Sequence, residues 1–226
     1  MAPKTSTDRT TARLVVLISG NGRNLQAILD AVTAGALPAE VVRVISNRGT
    51  ARGLEKARRA GVPTRVLRPR DYPDRAAYDA ALADTIAAES PDIVALAGFM
   101  RILDSAFVQR FAGKLVNIHP SLLPRHRGLD THGRALAAGD ERHGASVHYV
   151  TEDLDAGPCL IQGSLRVADD ETPDSLAERV MTRVEQRIYP QALAWIAEGR
   201  ATWDDGRIRF DGRPLETPIH VDCDPD

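Results

Sequence analysis

The feature that most constrains the fold is an unbroken aliphatic run, residues 14–18 (LVVLI), followed at once by a glycine-containing turn. Such a run predicts a strand that is buried on both faces, which is typical of parallel sheets. After the turn, four aliphatic residues recur at helical spacing: Leu25, Ile28, Leu29 and Val32. A strand, a tight turn and an amphipathic helix predict the start of a crossover between parallel strands.

The same alternation continues over the first half of the chain. Further strands are predicted at residues 41–46, 64–68, 92–98 and 114–119. Further helices are predicted at residues 51–61 and 75–88 and around Phe107. Strands that alternate with helices predict an α/β fold, with a mostly parallel sheet and helices on both faces.

The second half has a different pattern. Residues 145–151 and 159–167 are strand-like and are joined by a short turn, which predicts an antiparallel pair. Residues 173–197 predict one long amphipathic helix that Pro173 opens, and residues 201–211 predict a hairpin around an Asp-Gly turn. We therefore expect one domain over residues 13–212, with residues 1–12 and 213–226 as flexible tails.

Composition limits the kinds of molecule that the protein is expected to bind. The net charge of −2 argues against a general nucleic-acid binder, which needs a basic excess. No apolar run approaches the ~20 residues that span a bilayer, and the amino terminus lacks the apolar core of a signal peptide, so a cytoplasmic protein is expected. Five of the six histidines lie between residues 119 and 148, but none forms a ligand-spaced pair, so no metal site is predicted.

The first candidate site is the turn at residues 19–24 (SGNGRN). Glycines let the backbone approach a ligand closely, and free N–H groups at a helix start favour an anion such as phosphate. The motif is not a P-loop, because Gly-Lys-Ser/Thr is missing, and it is only a partial dinucleotide fingerprint. The alternative is a turn that merely connects a strand to a helix.

The second candidate site lies at the end of the strand predicted at residues 114–119. Asn117 and His119 are two residues apart, so their side chains share one face of the strand. Ligands of open α/β sheets bind outside the carboxyl ends of the strands. An Asn amide can donate to an oxyanion, and a His can act as acid, base or cationic donor. A structural Asn and a core His are the alternative.

The third candidate is Asp155, which precedes Gly157 and Pro158 in the connection between the two antiparallel strands. A carboxylate beside His119 would orient the ring and favour its charged form. Asp in this position is also ordinary turn chemistry.

Taken together, these segments resemble the phosphoribosylglycinamide formyltransferases, folate-dependent transferases of purine biosynthesis and one-carbon metabolism, in their short single-domain form. The resemblance runs from residue 13 to about residue 215. It rests on LVVLISGNGRNLQAILDA, VISNR, ALAGFMRIL, LVNIHPSLLP, HGASVHYVTEDLDAGP and EQRIYP. It implies a Rossmann-like formyltransferase fold, and it implies transfer of a formyl group from 10-formyltetrahydrofolate, as co-substrate, to the amine of 5-phosphoribosylglycinamide.

The resemblance also implies roles for matching positions. Asn117, His119 and Asp155 match the catalytic residues. The matching substrate-binding positions are Gly22, Arg23, Asn24 and Glu185. The matching folate-binding positions are Arg75, Met100, Arg101, Ile102 and Leu103, together with Asn117. Small-molecule substrates, no nucleic acid, no membrane and a monomer or weak homodimer are expected.

Some positions depart from the family pattern. Arg23 stands where Ser or Thr is common and adds a cation to the phosphate turn. His126 and Asp130 stand at variable positions in the loop after Pro124, which is expected to form a mobile lid and carries no assigned chemistry.

Three other functions remain open at this stage. Methionyl-tRNA formyltransferase and formyltetrahydrofolate hydrolase share the Asn, His and Asp core, but they normally carry an additional domain at the carboxyl or the amino end. A nucleotide-binding module without catalysis would explain the glycine turn alone. That reading leaves Asn117, His119 and Asp155 without a purpose.

Overall fold

The computed structural model describes residues 11–224 and contains a central eight-stranded sheet of order β11-β7-β6-β5-β4-β1-β2-β3. The strands of this sheet are β1 Ala12–Ile18, β2 Ala39–Ser46, β3 Thr64–Val66, β4 Ile93–Leu96, β5 Leu115–His119, β6 Arg142–Tyr149, β7 Cys159–Arg166 and β11 Ile219–Asp222. A separate antiparallel sheet contains β8 Ala201–Asp204, β9 Arg207–Phe210 and β10 Arg213–Pro214. Within the described residues, no helix has the length and apolarity to cross a bilayer.

In the part of the chain that the structure describes, seven α-helices connect or cover the strands: α1 Arg23–Thr33, α2 Gly53–Arg59, α3 Arg75–Ala87, α4 Ser105–Arg110, α5 Thr131–Ala137, α6 Pro173–Arg179 and α7 Gln186–Ala197. A short 3₁₀ turn spans Pro69–Asp71. A π-helical turn at Val180–Glu185 joins α6 to α7.

The pairing of the strands confirms the predicted fold class. β1 pairs in parallel with β2 and β4, and β4 pairs in parallel with β5. The β6–β7 pair is antiparallel, as its short connection predicted. The β5–β6 pair is also antiparallel, although a long connection that contains α5 joins these strands. The sheet therefore changes from parallel to antiparallel at β5, the strand that carries Asn117 and His119.

The core divides into two apolar layers, one on each face of the sheet. Within β1, Leu14, Val16 and Ile18 pack into one layer, whereas Val15 and Leu17 pack into the other. Residues of α1, α2 and α7 cover the first layer, and residues of α3 and α4 cover the second. Burial of β1 on both faces explains its unbroken aliphatic sequence.

The segment predicted as one long helix is continuous but not regular. The π turn interrupts it at Val180–Glu185, and Val180, Val184 and Glu185 are buried there. Such wide turns occur frequently at functional sites. Later in the same segment, the Tyr189 hydroxyl donates to the carbonyl oxygens of Leu96 and Val116, which anchors α7 to β4 and β5.

The carboxyl-terminal region corrects one expectation. Residues 213–226 were expected to be a flexible tail, but Ile219–Asp222 form β11, which pairs in parallel with β7. Arg142 secures this edge through ion pairs with Asp222 at 2.8 Å and Asp224 at 3.0 Å. Of the expected amino-terminal tail, residues 1–10 lie outside the described residues, and Ala12 begins β1.

Candidate active site

The predicted site residues lie at the carboxyl edge of the parallel strands. β4 lies between β1 and β5, so the turn after β1 and the polar end of β5 are one strand apart. The Ser19 hydroxyl donates to Asn47 Oδ1 at 2.7 Å and accepts from the Met100 amide at 2.8 Å. These contacts join the segments that follow β1, β2 and β4 at one crevice, where ligands of open sheets bind.

The turn after β1 depends on a close approach of two helix starts. Gly22 has φ +68°, and a Cβ built on it would lie 2.6 Å from the Cα of Gly53. A larger residue would therefore clash with the start of α2. Gly22 also provides no side-chain cap for α1, and the first turn of α1 contains no acidic residue. The positive end of α1 is thus left without an internal carboxylate cap, which suits an anionic ligand.

The side chains of the turn contact α6 and the π turn that follows it. Arg23 forms an ion pair with Glu178 of α6. Asn24 donates to Glu185 Oε2 at 2.6 Å, and its own Oδ1, although buried, has no hydrogen-bond partner among residues 11–224. Burial raises the pKa of Glu185, and the Asn24 amide and the charge of Arg23 oppose that rise. Three of the predicted substrate-binding residues are therefore assembled together with Glu185 across α1 and the π turn.

Asn117 and His119 project from the same face of β5, as their spacing predicted. The antiparallel register sets His148 of β6 directly opposite Asn117. His148 Nδ1 lies 2.9 Å from the Tyr149 carbonyl oxygen, which can only accept, so Nδ1 carries the hydrogen. Burial lowers the pKa of His148, which favours the neutral ring. The Nε2 lone pair then accepts from Asn117 Nδ2 at 3.2 Å and fixes the orientation of the amide.

Asp155 lies beside both histidines. Its Oδ2 is 3.4 Å from His119 Nδ1, and its Oδ1 is 3.7 Å from His148 Nε2. The Gly128 amide donates to the same Oδ2 at 3.0 Å. Asp155 has φ +49°, a conformation that few residues other than glycine adopt. The structure therefore brings together Asn117, His119 and Asp155, the three predicted catalytic residues.

A second glycine fixes the loop that carries Asp155. A Cβ built on Gly157 would lie 1.9 Å from the Tyr149 carbonyl oxygen. The loop thus passes too close to the end of β6 for any side chain at this position. This contact explains the glycine two residues after Asp155.

The loop after β5 covers His119 from the other side. The carbonyl oxygen of His126 lies 3.0 Å from His119 Nε2. Both ring nitrogens of His119 therefore lie close to oxygen atoms that can accept a hydrogen bond. The loop is held to its surroundings by Leu123, whose amide donates to Ser146 Oγ at 3.0 Å, and by His126 Nε2, which lies 2.8 Å from Asp140.

The buried His143 contacts two partly buried histidines, His126 and His132. His143 Nε2 lies 3.1 Å from His132 Nδ1, and the rings of His126 and His132 contact the His143 ring edge to face. Burial lowers the pKa of His143 to about 4, and the charges of His132 and His126 act in the same direction. Among residues 11–224, no group of three or more His, Cys, Asp or Glu side chains is arranged to hold a metal ion.

The buried His143 predicts a loss of stability in acid. Its pKa is about 4 in the folded protein and near 6.5 when the chain unfolds, so the unfolded state binds more protons between these values. Its contribution is complete above pH 6.5 and is lost as the pH falls towards 4, a difference of roughly 3 kcal/mol. Urea unfolding from pH 7 to 4 should show a shallower decline for His143→Gln than for wild type. The exposed His220 supplies the matched variant, His220→Gln, and an equal slope for all three proteins would contradict the assignment.

Of the predicted folate-binding residues, 100–103 lie between β4 and α4, Arg75 begins α3 and Asn117 belongs to β5. Met100 and Ile102 are 65% and 62% exposed, which is unusual for large apolar side chains. Leu129 of the covering loop and Leu154, next to Asp155, are also exposed. Arg75 does not point freely into solvent, because its Nη2 donates to the Ile102 carbonyl oxygen at 2.7 Å.

Sequence reasoning missed the role of His148 in orienting Asn117. The sequence places His148 in the predicted strand that follows β5. Only the register of the two strands shows that His148 lies opposite Asn117. The sequence likewise places Ser19 in the turn but does not show that its hydroxyl joins three segments of the crevice.

Comparison with known proteins agrees with this geometry. Residues 12–193 match the family model described as formyl transferase. The chain is 48% identical, over 89% of its length and 95% of the relative, to phosphoribosylglycinamide formyltransferase of Escherichia coli. Among solved structures, phosphoribosylglycinamide formyltransferase of Coxiella burnetii is 46% identical with a TM-score of 0.89, covering 93% of this chain and 99% of the other. Glycinamide ribonucleotide transformylase 1 of Symbiobacterium toebii is 42% identical with a TM-score of 0.86, covering 92% and 98% of the two chains. The chain therefore belongs to the formyl transferase family.

Proposed function

We propose that this chain transfers the formyl group of 10-formyltetrahydrofolate to the amine of 5-phosphoribosylglycinamide, a step of purine biosynthesis. The observation that carries the proposal is the cluster at the carboxyl end of β5. There the Asn117 amide lies 3.2 Å from His148, and the Asp155 carboxyl group lies 3.4 Å from His119 and 3.7 Å from His148. The reaction is the one for which the relatives are named, and the side chains of the cluster are suited to catalyse it.

The reaction passes through a tetrahedral intermediate. The neutral amine attacks the formyl carbon, a C–N bond forms, and the carbonyl oxygen becomes negative. The bond from that carbon to the folate nitrogen then breaks, the amine loses a proton and the folate nitrogen gains one. No covalent intermediate with the protein is required.

Two donors serve the developing oxyanion in this proposal. The Asn117 amide has one hydrogen committed to His148 and a second one available. His119 Nε2 is the other donor, and the His126 carbonyl that it now contacts must withdraw before the substrate oxygen can take its place. Asp155 holds the opposite nitrogen of the ring and stabilises its positive charge.

The crevice offers separate surfaces for the two substrates. The start of α1 with Gly22, Arg23 and Asn24 would take the phosphate, and the free Asn24 Oδ1 beside Glu185 would accept an N–H of the glycinamide. The exposed side chains of Met100 and Ile102, together with Arg101, Leu103 and Arg75, would line the folate pocket.

An absorbance assay tests the reaction directly. Purified protein would be mixed with 10-formyl-5,8-dideazafolate and glycinamide ribonucleotide, and loss of the formyl group would be followed. Turnover that requires the amine substrate is the expected result. Deformylation without the amine would indicate a hydrolase, and absence of turnover despite folate binding would mean that the acceptor is wrong.

The role of Arg23 gives a second test. Arg23→Ser should raise the KM for the ribonucleotide several-fold, because a cation near the phosphate is lost. Glu178→Gln should leave that KM unchanged or lower it by up to about fivefold, since it releases Arg23 from a surface ion pair worth about 0–1 kcal/mol. Steady-state kinetics at fixed folate would measure both. If the two variants raise this KM equally, Arg23 serves only to bridge α1 and α6.

A further inference from the structure

Segment 100–104 lies against a cluster of buried polar groups that the proposed chemistry does not use. Among the described residues, four buried side-chain atoms have no hydrogen-bond partner, and three of them are Tyr78 Oη, Asp79 Oδ1 and Arg101 Nε. Such atoms oppose folding, so each one that a protein retains calls for an explanation. Tyr78 and Asp79 belong to α3, and Arg101 belongs to the proposed folate-binding segment.

The carboxyl group of Asp79 is the centre of this cluster. Its side chain is fully buried, with 0% exposure. Its Oδ2 accepts from the Asp104 amide at 3.1 Å and lies 3.5 Å from Arg75 Nε. Burial raises the pKa of Asp79, while the Asp104 amide and the charges of Arg75 and Arg101 lower it.

Helix α3 holds segment 100–104 at three successive points. The guanidinium carbon of Arg101 lies 4.7 Å from the centre of the Tyr78 ring. Arg75 Nη2 donates to the Ile102 carbonyl oxygen, and Asp79 accepts from the Asp104 amide. Residues 75, 78 and 79 share one face of a helix, so the segment follows that face.

We propose that Asp79 is a positioning residue for folate binding, holding segment 100–104 in place through Arg75 and the Asp104 amide. The inference rests on the proposed function, because it takes this segment as part of the folate pocket. An apolar side chain would fill the same space without an unpartnered oxygen. The carboxyl group supplies what an apolar side chain cannot, an acceptor for the Asp104 amide and a partner for Arg75 next to the exposed Met100 and Ile102.

The Asp79→Asn variant tests whether Asp79 positions segment 100–104 or only fills space in the core. Asparagine keeps the shape and an acceptor for the Asp104 amide but removes the charge that pairs with Arg75. The KM for 10-formyl-5,8-dideazafolate should rise about tenfold, equivalent to about 1.4 kcal/mol. The KM for glycinamide ribonucleotide and kcat at saturating folate should change less than about twofold. Asp84→Asn is the matched control, because Asp84 lies on the same helix but is exposed and pairs with Arg110 of α4.

A second variant tests whether Asp79 acts through Arg75. The Arg75 side chain is 52% exposed, so Arg75→Met should fold and should also raise the folate KM. If Asp79 acts through Arg75, adding Asp79→Asn to Arg75→Met should cost less than it does alone. Fully additive effects, a fall in kcat with both KM values raised, or an unchanged folate KM in folded Asp79→Asn would overturn the inference. Wild type that fails to deformylate the analogue would instead contradict the proposed function itself.

Discussion

Replacing His119 by alanine is expected to lower kcat by about 10²–10³, with the protein still folded. Loss of one preorganised oxyanion donor typically raises the barrier by about 2.7–4 kcal/mol. His119 meets the geometric condition for such a donor, because its ring is buried at the end of β5 and held by Asp155. The KM values for both substrates should change little, since the interaction develops only as the carbonyl oxygen becomes negative.

The matched variant is His220→Ala, which removes an exposed histidine of β11 that contacts Ser164. It should retain wild-type kcat. Single-turnover formyl transfer measured for both variants, with thermal unfolding as a check on folding, gives the comparison. A His119→Ala protein that keeps kcat within about threefold of wild type would remove His119 from the mechanism.

Replacing Gly157 by alanine is expected to cost about 10² in kcat, although residue 157 touches no substrate in the proposal. The new Cβ would lie 1.9 Å from the Tyr149 carbonyl oxygen, so the loop must move by about an ångström or more. Misplacement of a catalytic group by about 1 Å can cost about 10²-fold. Asp155, two residues earlier, would move away from His119.

Asp155→Asn, which removes the charge and leaves the loop in place, gives the reference loss for this experiment. Gly49→Ala is the control, because its Cβ would meet only the flexible end of the Arg68 side chain. Rates and melting temperatures would be measured for all three variants. A Gly157→Ala enzyme with wild-type kcat would show that the position of Asp155 is not critical.

Local patterns in the sequence predicted most of the sheet and, of the catalytic cluster, Asn117 and His119. The aliphatic run of β1 required burial on both faces, and the spacing of Asn117 and His119 required a shared face. No local rule places Asp155 beside His119, because the distance depends on the β6–β7 connection folding back over β5. From the residues alone Asp155 was a candidate that ordinary turn chemistry could also explain, and the resemblance to a known family implied its catalytic role.

Other features depend on contacts between distant segments. The pairing of Arg23 with Glu178 joins residues 155 positions apart and could not be read from the turn itself. Strand β11 was missed because its four residues lie in a polar, proline-containing stretch, and only the free edge of β7 makes them a strand. His148 became meaningful only once its partner across the ladder was known.

The π turn has a consequence for the phase of the helix that contains it. Four fully buried residues recur at intervals of four: Leu176, Val180, Val184 and Ile188. In a regular α-helix each step of four advances by about 400°, so the buried stripe would rotate by about 120° over three steps. The wider turn at Val180–Glu185 reduces this drift. The helix therefore keeps its buried stripe against the sheet, and its wide turn places Glu185 next to Asn24. A one-residue deletion in the turn would lose either the buried stripe or the contact between Glu185 and Asn24.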